Sequence, residues 1–254
     1  MAFYIKFSKP ITSYILKFKM SMGLKLVVSR RKKMVAYPDY IDIRKIGINR
    51  TGLTTGENCR YSLTINIGGG EKRLICILMN PSSATESYSD HTVNNFIEYA
   101  RNKKYQEIII LNVLPIYLTN VASAEKNWKD LHDKEYHEKK NLKVIEEIIS
   151  YESEKNDIVM ATGYVSGVKY KEKLREIYKL ISKNEICSVT AFKGNEKFFT
   201  EKYYAFHTSR KGDFNTFIQN PFKFTIEYDK SKNNLTLKSS DQKRFTFANI
   251  NIRA

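Results

Sequence analysis

Four short apolar runs, each separated from the next by a helical or polar stretch, constrain this chain more than any other feature. They are Arg73 to Met79 (RLICILM), Glu107 to Val113 (EIIILNV), Asp157 to Ala161 (DIVMA) and Glu185 to Val189 (EICSV). Runs of this length without alternation mark strands covered on both faces. Between them, Val93, Phe96, Ile97 and Ala100 fall at i, i+3, i+4 and i+7, the spacing of one helix face. Asp90 or Thr92 can cap that helix. A second helix is expected to run to about Ser150, with Leu142, Ile145, Ile148 and Ile149 inward. Tyr170, Leu174, Ile177 and Ile181 mark a third. Strand, helix, strand in repeated succession predicts an α/β fold: a three-layer sandwich around a mostly parallel, four-stranded central sheet.

The flanks read differently. Arg60 to Ile67 alternates with period two before Gly68-Gly69-Gly70 breaks it, which predicts a half-buried strand and a turn. Phe222–Tyr228, Leu235–Lys238 and Phe245–Ile252 alternate between turn-forming segments, predicting an antiparallel β appendage at the C-terminus. The expected organisation is a basic N-terminal extension (1–58), an α/β core domain (59–213) and a C-terminal β appendage (214–254).

Charge separates the same regions. The 254-residue chain has a formal net charge of +16. Residues 1–58 hold 12 Lys+Arg against 3 Asp+Glu, whereas residues 59–213 hold 24 against 21. From Met1 to Lys33 there are nine basic residues and no acid. That stretch suits a basic arm for phosphate backbones, a membrane-surface segment or a presequence; it equally suits an extra element packed on the domain, or an over-extended start. No apolar run is long enough to span a membrane. Cys59, Cys76 and Cys187 form neither a CxxC pair nor an even disulfide set, so a reducing, cytoplasmic compartment is expected. The chain has no GxxxxGK[ST], GxSxG or HExxH motif and no GxGxxG in the right place, so no cofactor and no metal is expected. His132 and His137, at i, i+5, do not share a helix face.

Ligands of open α/β sheets bind beyond the carboxyl ends of the strands, and every apolar run here delivers polar residues there. The first gives Asn80, Ser82 and Ser83. The second gives Asn112, then Tyr117 and Thr119. The third gives Thr162, Gly163 and Tyr164. After the fourth come Thr190, Lys193 and Gly194, and later His207 and Arg210. Each also has a structural role open to it: Asn-Pro-Ser-Ser as a turn, Asp90 as a helix cap, Asn112 as a backbone partner.

The run Arg60-Tyr61-Ser62-Leu63-Thr64, then Met79-Asn80-Pro81-Ser82-Ser83-Ala84, Asp90-x-Thr92, Leu111-Asn112-Val113-Leu114, Thr162-Gly163 and Thr190-x-x-Lys193-Gly194 resembles a bacterial and phage family of unknown function, number 1643 among the domains of unknown function. The match spans roughly residues 59–212. The family's Trp-Gly after the third strand is Thr162-Gly163 here, and its closing His-Pro-Leu-Tyr is His207-Thr208-Ser209-Arg210.

More distantly, the layout is similar to the uracil-DNA glycosylase superfamily, whose first core strand ends in an Asn-Pro or Asp-Pro loop. That resemblance implies cleavage of a nucleobase N-glycosidic bond. Asn80 would orient a water, Asp90 would stabilise the sugar cation or take a proton, and His207 would serve the departing base. Ser82, Ser83, Thr92, Asn112, Tyr117, Thr119, Gly163, Tyr164, Lys193 and Arg210 would bind substrate. Two other functions remain open on the sequence: a binding module for nucleic acid or nucleotide without turnover, and an anionic-surface or partner contact through residues 1–33.

Overall fold

The computed structural model describes residues 35–51, 59–81, 83–117, 133–163, 168–184, 189–192, 205, 221–239 and 244–247. The chain divides into two compact units, Met1–Met34 and Val35–Ala254. The described residues belong to the second, and the basic stretch 1–33 lies outside them.

Nine strands are described: β1 (Gly47–Arg50), β2 (Arg60–Asn66), β3 (Arg73–Leu78), β4 (Glu107–Asn112), β5 (Asn156–Met160), β6 (Val189–Phe192), β7 (Pro221–Asp229), β8 (Asn234–Ser239) and β9 (Arg244–Phe247). Three helices accompany them: α1 (His91–Asn102), α2 (Lys134–Ser150) and α3 (Val168–Lys183). The fold is mixed α/β, on one nine-stranded sheet of order β1-β2-β4-β3-β5-β6-β7-β8-β9.

The sheet corrects the expectation of four mostly parallel strands. Only β4–β3, β3–β5 and β5–β6 pair parallel, while the five other pairings are antiparallel. The apolar runs build the central parallel block, and antiparallel strands extend it at both edges. The C-terminal strands continue this same sheet, because β7 pairs with β6 from Val189↔Phe224 to Phe192↔Pro221. Both additions satisfy backbone groups that β4 and β6 would otherwise present as open edges. Of the fourth expected strand, residues 185–188 lie outside the described residues, and β6 runs on past Val189, so Thr190 sits inside it, opposite Val159, rather than beyond its end.

Alternation along the central strands supplies two cores. Leu74, Cys76, Leu78, Ile108, Ile110 and Val159 meet Val93, Phe96, Ile97 and Ala100 of α1 on one face. Ile75, Ile77, Ile109, Leu111, Ile158 and Met160 meet Val144, Ile145 and Ile149 of α2 and Leu174, Ile177 and Ile181 of α3 on the other. Burying a side chain of this size stabilises by about 1.5–3 kcal/mol, which is why the apolar runs are continuous rather than alternating. Residues 35–50, inside the segment assigned to the basic extension by charge, contribute β1 and bury Tyr37, Ile41 and Ile46 on the α1 face.

Two local devices fix the amino end of the sheet. Arg73 Nε donates to Asn156 Oδ1 (2.9 Å), another guanidinium nitrogen donates to Tyr151 O, and the group lies over the Tyr151 ring. Asn156 Nδ2 donates to Ile149 O and Tyr151 O (both 3.1 Å), satisfying carbonyls at the end of α2. The glycine run packs on the chain after α1. Gly69 N donates to Tyr105 O (3.0 Å) and Gly70 N to Lys104 O (2.7 Å). A Cβ on Gly69 would lie 2.3 Å from Tyr105 O. Those two amides are spent on main chain, so the run is a packing element and not a phosphate loop.

Candidate functional site

The carboxyl ends of β3, β4 and β5 lie side by side, and backbone bonds continue past them. Val113 N donates to Leu78 O (2.9 Å), Leu114 N to Met79 O (3.1 Å) and Ala161 N to Ile77 O (2.9 Å). Asn80 lies two residues past β3, half-buried, with Nδ2 donating to Pro81 O (3.2 Å). Ser83 is exposed, and Ala84 turns inward and is fully buried. Thr85 then organises a tight turn, its hydroxyl accepting from Ser87 N and Tyr88 N. Asp90 caps α1, its Oδ1 accepting from Val93 N at 3.0 Å. Thr92 lies half-buried in the first turn of that helix. Gly163, beyond β5, has φ 71° and donates its N–H to Ala205 O (2.8 Å). That left-handed conformation explains the glycine.

A residue absent from the expected site stands at its centre. Arg60 begins β2, and because β2 runs antiparallel to β4, its first residue lies at the carboxyl ends of the parallel strands. Its backbone N–H donates to Pro115 O (2.7 Å). The side chain is 1% exposed. Nη1 donates to Ala84 O (2.9 Å), the guanidinium carbon lies 5.5 Å from the centre of the Tyr117 ring, and Nε has no acceptor among the described residues. Burial lowers the Arg60 pKa, while the Tyr117, Asp90 and Tyr37 groups oppose the shift. Burial likewise pushes the Tyr37 hydroxyl up, with Arg60 opposing and Asp90 and Glu86 adding to the rise. Tyr37 O–H donates to Thr85 O (2.7 Å), and Glu86 pairs with Arg50 at 2.8 Å. Arg60, Tyr37, Asp90 and Tyr117 therefore form one electrostatic cluster beneath the loop after β3.

Asn112 stands at the end of the strand next to β2. Ile108 and Ile110 enter the α1-side core and Ile109 and Leu111 the opposite one, so the alternation of β4 puts Asn112 on the α1 face. That is the face Arg60 occupies with Ala84 and Tyr37. Asn112 is 0% exposed, and neither Oδ1 nor Nδ2 has a hydrogen-bond partner among the described residues. Buried amides without partners are rare in folded proteins.

On the α2 face, a bulge redirects Tyr61. Asn49 lies opposite Ser62 but Arg50 lies opposite Arg60, leaving Tyr61 as an extra residue on β2. The period-two alternation expected over residues 60–67 breaks there, as bulges require. Tyr61 accordingly joins the α2-side core while Leu63 and Ile65 join the other. Its hydroxyl lies 2.6 Å from His137 Nδ1, and Lys140 Nζ lies 4.7 Å from its ring centre. One turn on from His137, Asn141 Nδ2 donates to Asn112 O (3.0 Å) and Val113 O (3.3 Å). Helix α2 thus holds the main chain on which the unpaired amide is mounted.

Of the expected site residues, Asp90 and Tyr117 meet around Arg60, and Asn80, Asn112 and Gly163 stand at neighbouring strand ends. His207, Ser82, Thr119, Tyr164, Lys193 and Arg210 lie outside the described residues. Arg60, Tyr37 and His137 were not among the expected residues. A charged first residue of an alternating strand reads as solvated, and Tyr37 precedes the domain expected from charge. No group of three or more His, Cys, Asp or Glu that could hold a metal ion occurs among the described residues. No described helix is long and apolar enough to cross a membrane.

A family described as "Protein of unknown function (DUF1643)" matches residues 60–198, more than half of the chain. The chain belongs to the DUF1643 family. Its matched region opens at Arg60 and contains β2 to β6, all three helices, and the strand-end cluster except Tyr37. No curated protein and no solved structure matches this DUF1643 chain.

Proposed function

We propose that this DUF1643 protein binds a nucleobase-bearing ligand at the carboxyl ends of β3, β4 and β5. The observation that carries this reading is the Asn112 side chain, buried at the end of β4 with its donor and acceptor both unpaired among the described residues. Leaving such a group unpaired costs about 1–3 kcal/mol, so the site is set up for a partner that offers a donor beside an acceptor. The hydrogen-bonding edge of a nucleobase does so, and Asn side chains recognise bases in this bidentate way. Tyr117, beside Arg60, supplies an aromatic face for stacking.

A second reading is that the bound base is cleaved from its sugar, as the glycosylase resemblance implies. It is favoured by Asn80, half-buried just past the end of β3 in an Asn-Pro turn, where an amide can orient a water. In that reaction Asp90 is better suited to stabilise positive charge on the sugar than to take a proton. One of its oxygens already accepts from Val93 N, and Arg60 lies nearby.

Titration calorimetry with the four common nucleosides and their 5′-monophosphates tests the binding reading. Saturable binding that Asn112→Ala weakens at least tenfold supports it; no binding, or equal binding by the variant, removes it. Incubation with uracil-containing and otherwise modified DNA, RNA and nucleosides tests cleavage. Base release that Asn80→Ala abolishes supports the second reading, and intact substrates refute it.

A further inference from the structure

The Arg60 guanidinium is a buried positive charge with no carboxylate in ion-pair contact among the described residues, although the charge of Asp90 reaches it. Its exposure is 1%, and it makes no ion pair among the described residues. The closest contacts of the nearby acids are to other groups. Glu86 pairs with Arg50 at 2.8 Å. Asp90 accepts from Val93 N at the amino end of α1, where the helix dipole supplies about half a positive charge. Tyr37 and Tyr117 are phenols, and burial holds the Tyr37 hydroxyl in its neutral form. Arg60 also contacts the Ala84 carbonyl and Tyr117, through its ring and its hydroxyl, while Nε has no acceptor among the described residues.

A structural clamp on Ala84 O alone would not require a full charge, and a buried cation lacking an anion is strongly disfavoured. An arginine fork is, however, the side chain best matched to the oxygens of a phosphate. Arg60 and Asn112 stand on the same face at the ends of neighbouring strands, so one ligand can engage both.

We infer that Arg60 receives a phosphate group of the ligand. The substrate class is thereby a nucleotide, free or within a single strand, and not a free base or nucleoside. This rests on the nucleobase reading above and extends it to the ligand's charge.

The test has two arms on the full chain. In the first, calorimetry compares the four nucleosides, their 5′-monophosphates, a short single-stranded oligonucleotide and orthophosphate, on wild type and Arg60→Met. The phosphorylated compounds should bind about ten- to a hundredfold more tightly than the nucleosides, the span of one charge-assisted contact. Arg60→Met should erase that preference. In the second arm, the Arg60 Nε–H resonance of 15N-labelled wild type should shift as orthophosphate is added. That arm decides the matter if Arg60→Met does not fold.

Equal affinity for nucleosides and nucleotides, a preference that survives Arg60→Met, or an Nε signal unmoved by saturating phosphate would each overturn the inference. The two readings fail separately. Orthophosphate binding with no base-dependent affinity would sink the nucleobase reading and leave the anion site. Base-dependent binding indifferent to phosphate would do the reverse. Monophosphate and oligonucleotide affinities then separate a free nucleotide from a strand.

Discussion

Asn112→Val should make the protein more stable and less able to bind. The side chain it replaces is fully buried, with Oδ1 and Nδ2 both unpaired among the described residues. Removing an unsatisfied buried amide should recover about 1–3 kcal/mol. Valine also suits a strand position and adds little volume, so overpacking offsets only part of that gain. The backbone bonds from Asn141 Nδ2 to Asn112 O and Val113 O are untouched by the change. A net gain of about 1–2 kcal/mol corresponds to a Tm rise of roughly 2–8 °C for a chain of this size. Thermal and urea unfolding of wild type and variant, without ligand, give the number directly. A fall in Tm of more than about 2 °C would refute the reasoning, because it would mean the amide is satisfied in solution, for instance by a buried water. A rise in Tm together with lost nucleoside binding is the signature of a residue kept for a ligand at a cost in stability.

Other consequences follow from single contacts. Gly69→Ala puts a Cβ 2.3 Å from Tyr105 O and should destabilise by about 1–3 kcal/mol, seen as a lower urea midpoint with an unchanged m-value. Tyr61→Phe removes the hydroxyl 2.6 Å from His137 Nδ1 and should cost about 1–3 kcal/mol; a Tm equal to wild type would mean that contact carries no stability. Burial pushes the Glu138 carboxyl up, but hydrogen bonds and charge from Lys173 and Lys169 outweigh it and hold its pKa below the ordinary value near 4.5. A carboxyl depressed in the folded state stabilises above its unfolded pKa and loses that contribution as pH falls through the folded one. Glu138→Gln should therefore be less stable than wild type at pH 7. The difference should shrink as pH drops below about 4.5, and a gap constant with pH in urea melts would disprove the pairing.

The candidate site was partly legible before folding. Asn80, Asn112, Tyr117 and Gly163 could be named because each lies at or beyond the end of a strand that its own apolar run announces. Asp90 could be given its capping role from local spacing alone, and it does cap α1. Arg60 could not be placed, since its position depends on the direction in which β2 joins β4. Tyr61 was assigned to a regular alternating strand, and only the pairing of β2 with β1 exposes the extra residue that turns it toward His137. The same holds for the sheet. Nothing local distinguishes C-terminal strands forming a separate appendage from ones that extend the central sheet through β6 and β7.

The amino-acid sequence by itself determined the elements: which runs are buried strands, which face of α1 points inward, and that polar residues follow the strand ends. These depend on periodicity and on neighbours a few residues away. The tertiary structure decided the pairing directions, and with them the arrival of Arg60 at the carboxyl ends of the parallel strands, on the face that Asn112 shares. It also decided which polar atoms were left without partners. Hydrogen-bond satisfaction is a property of the assembled packing, set by groups distant in the chain, and no local pattern encodes it.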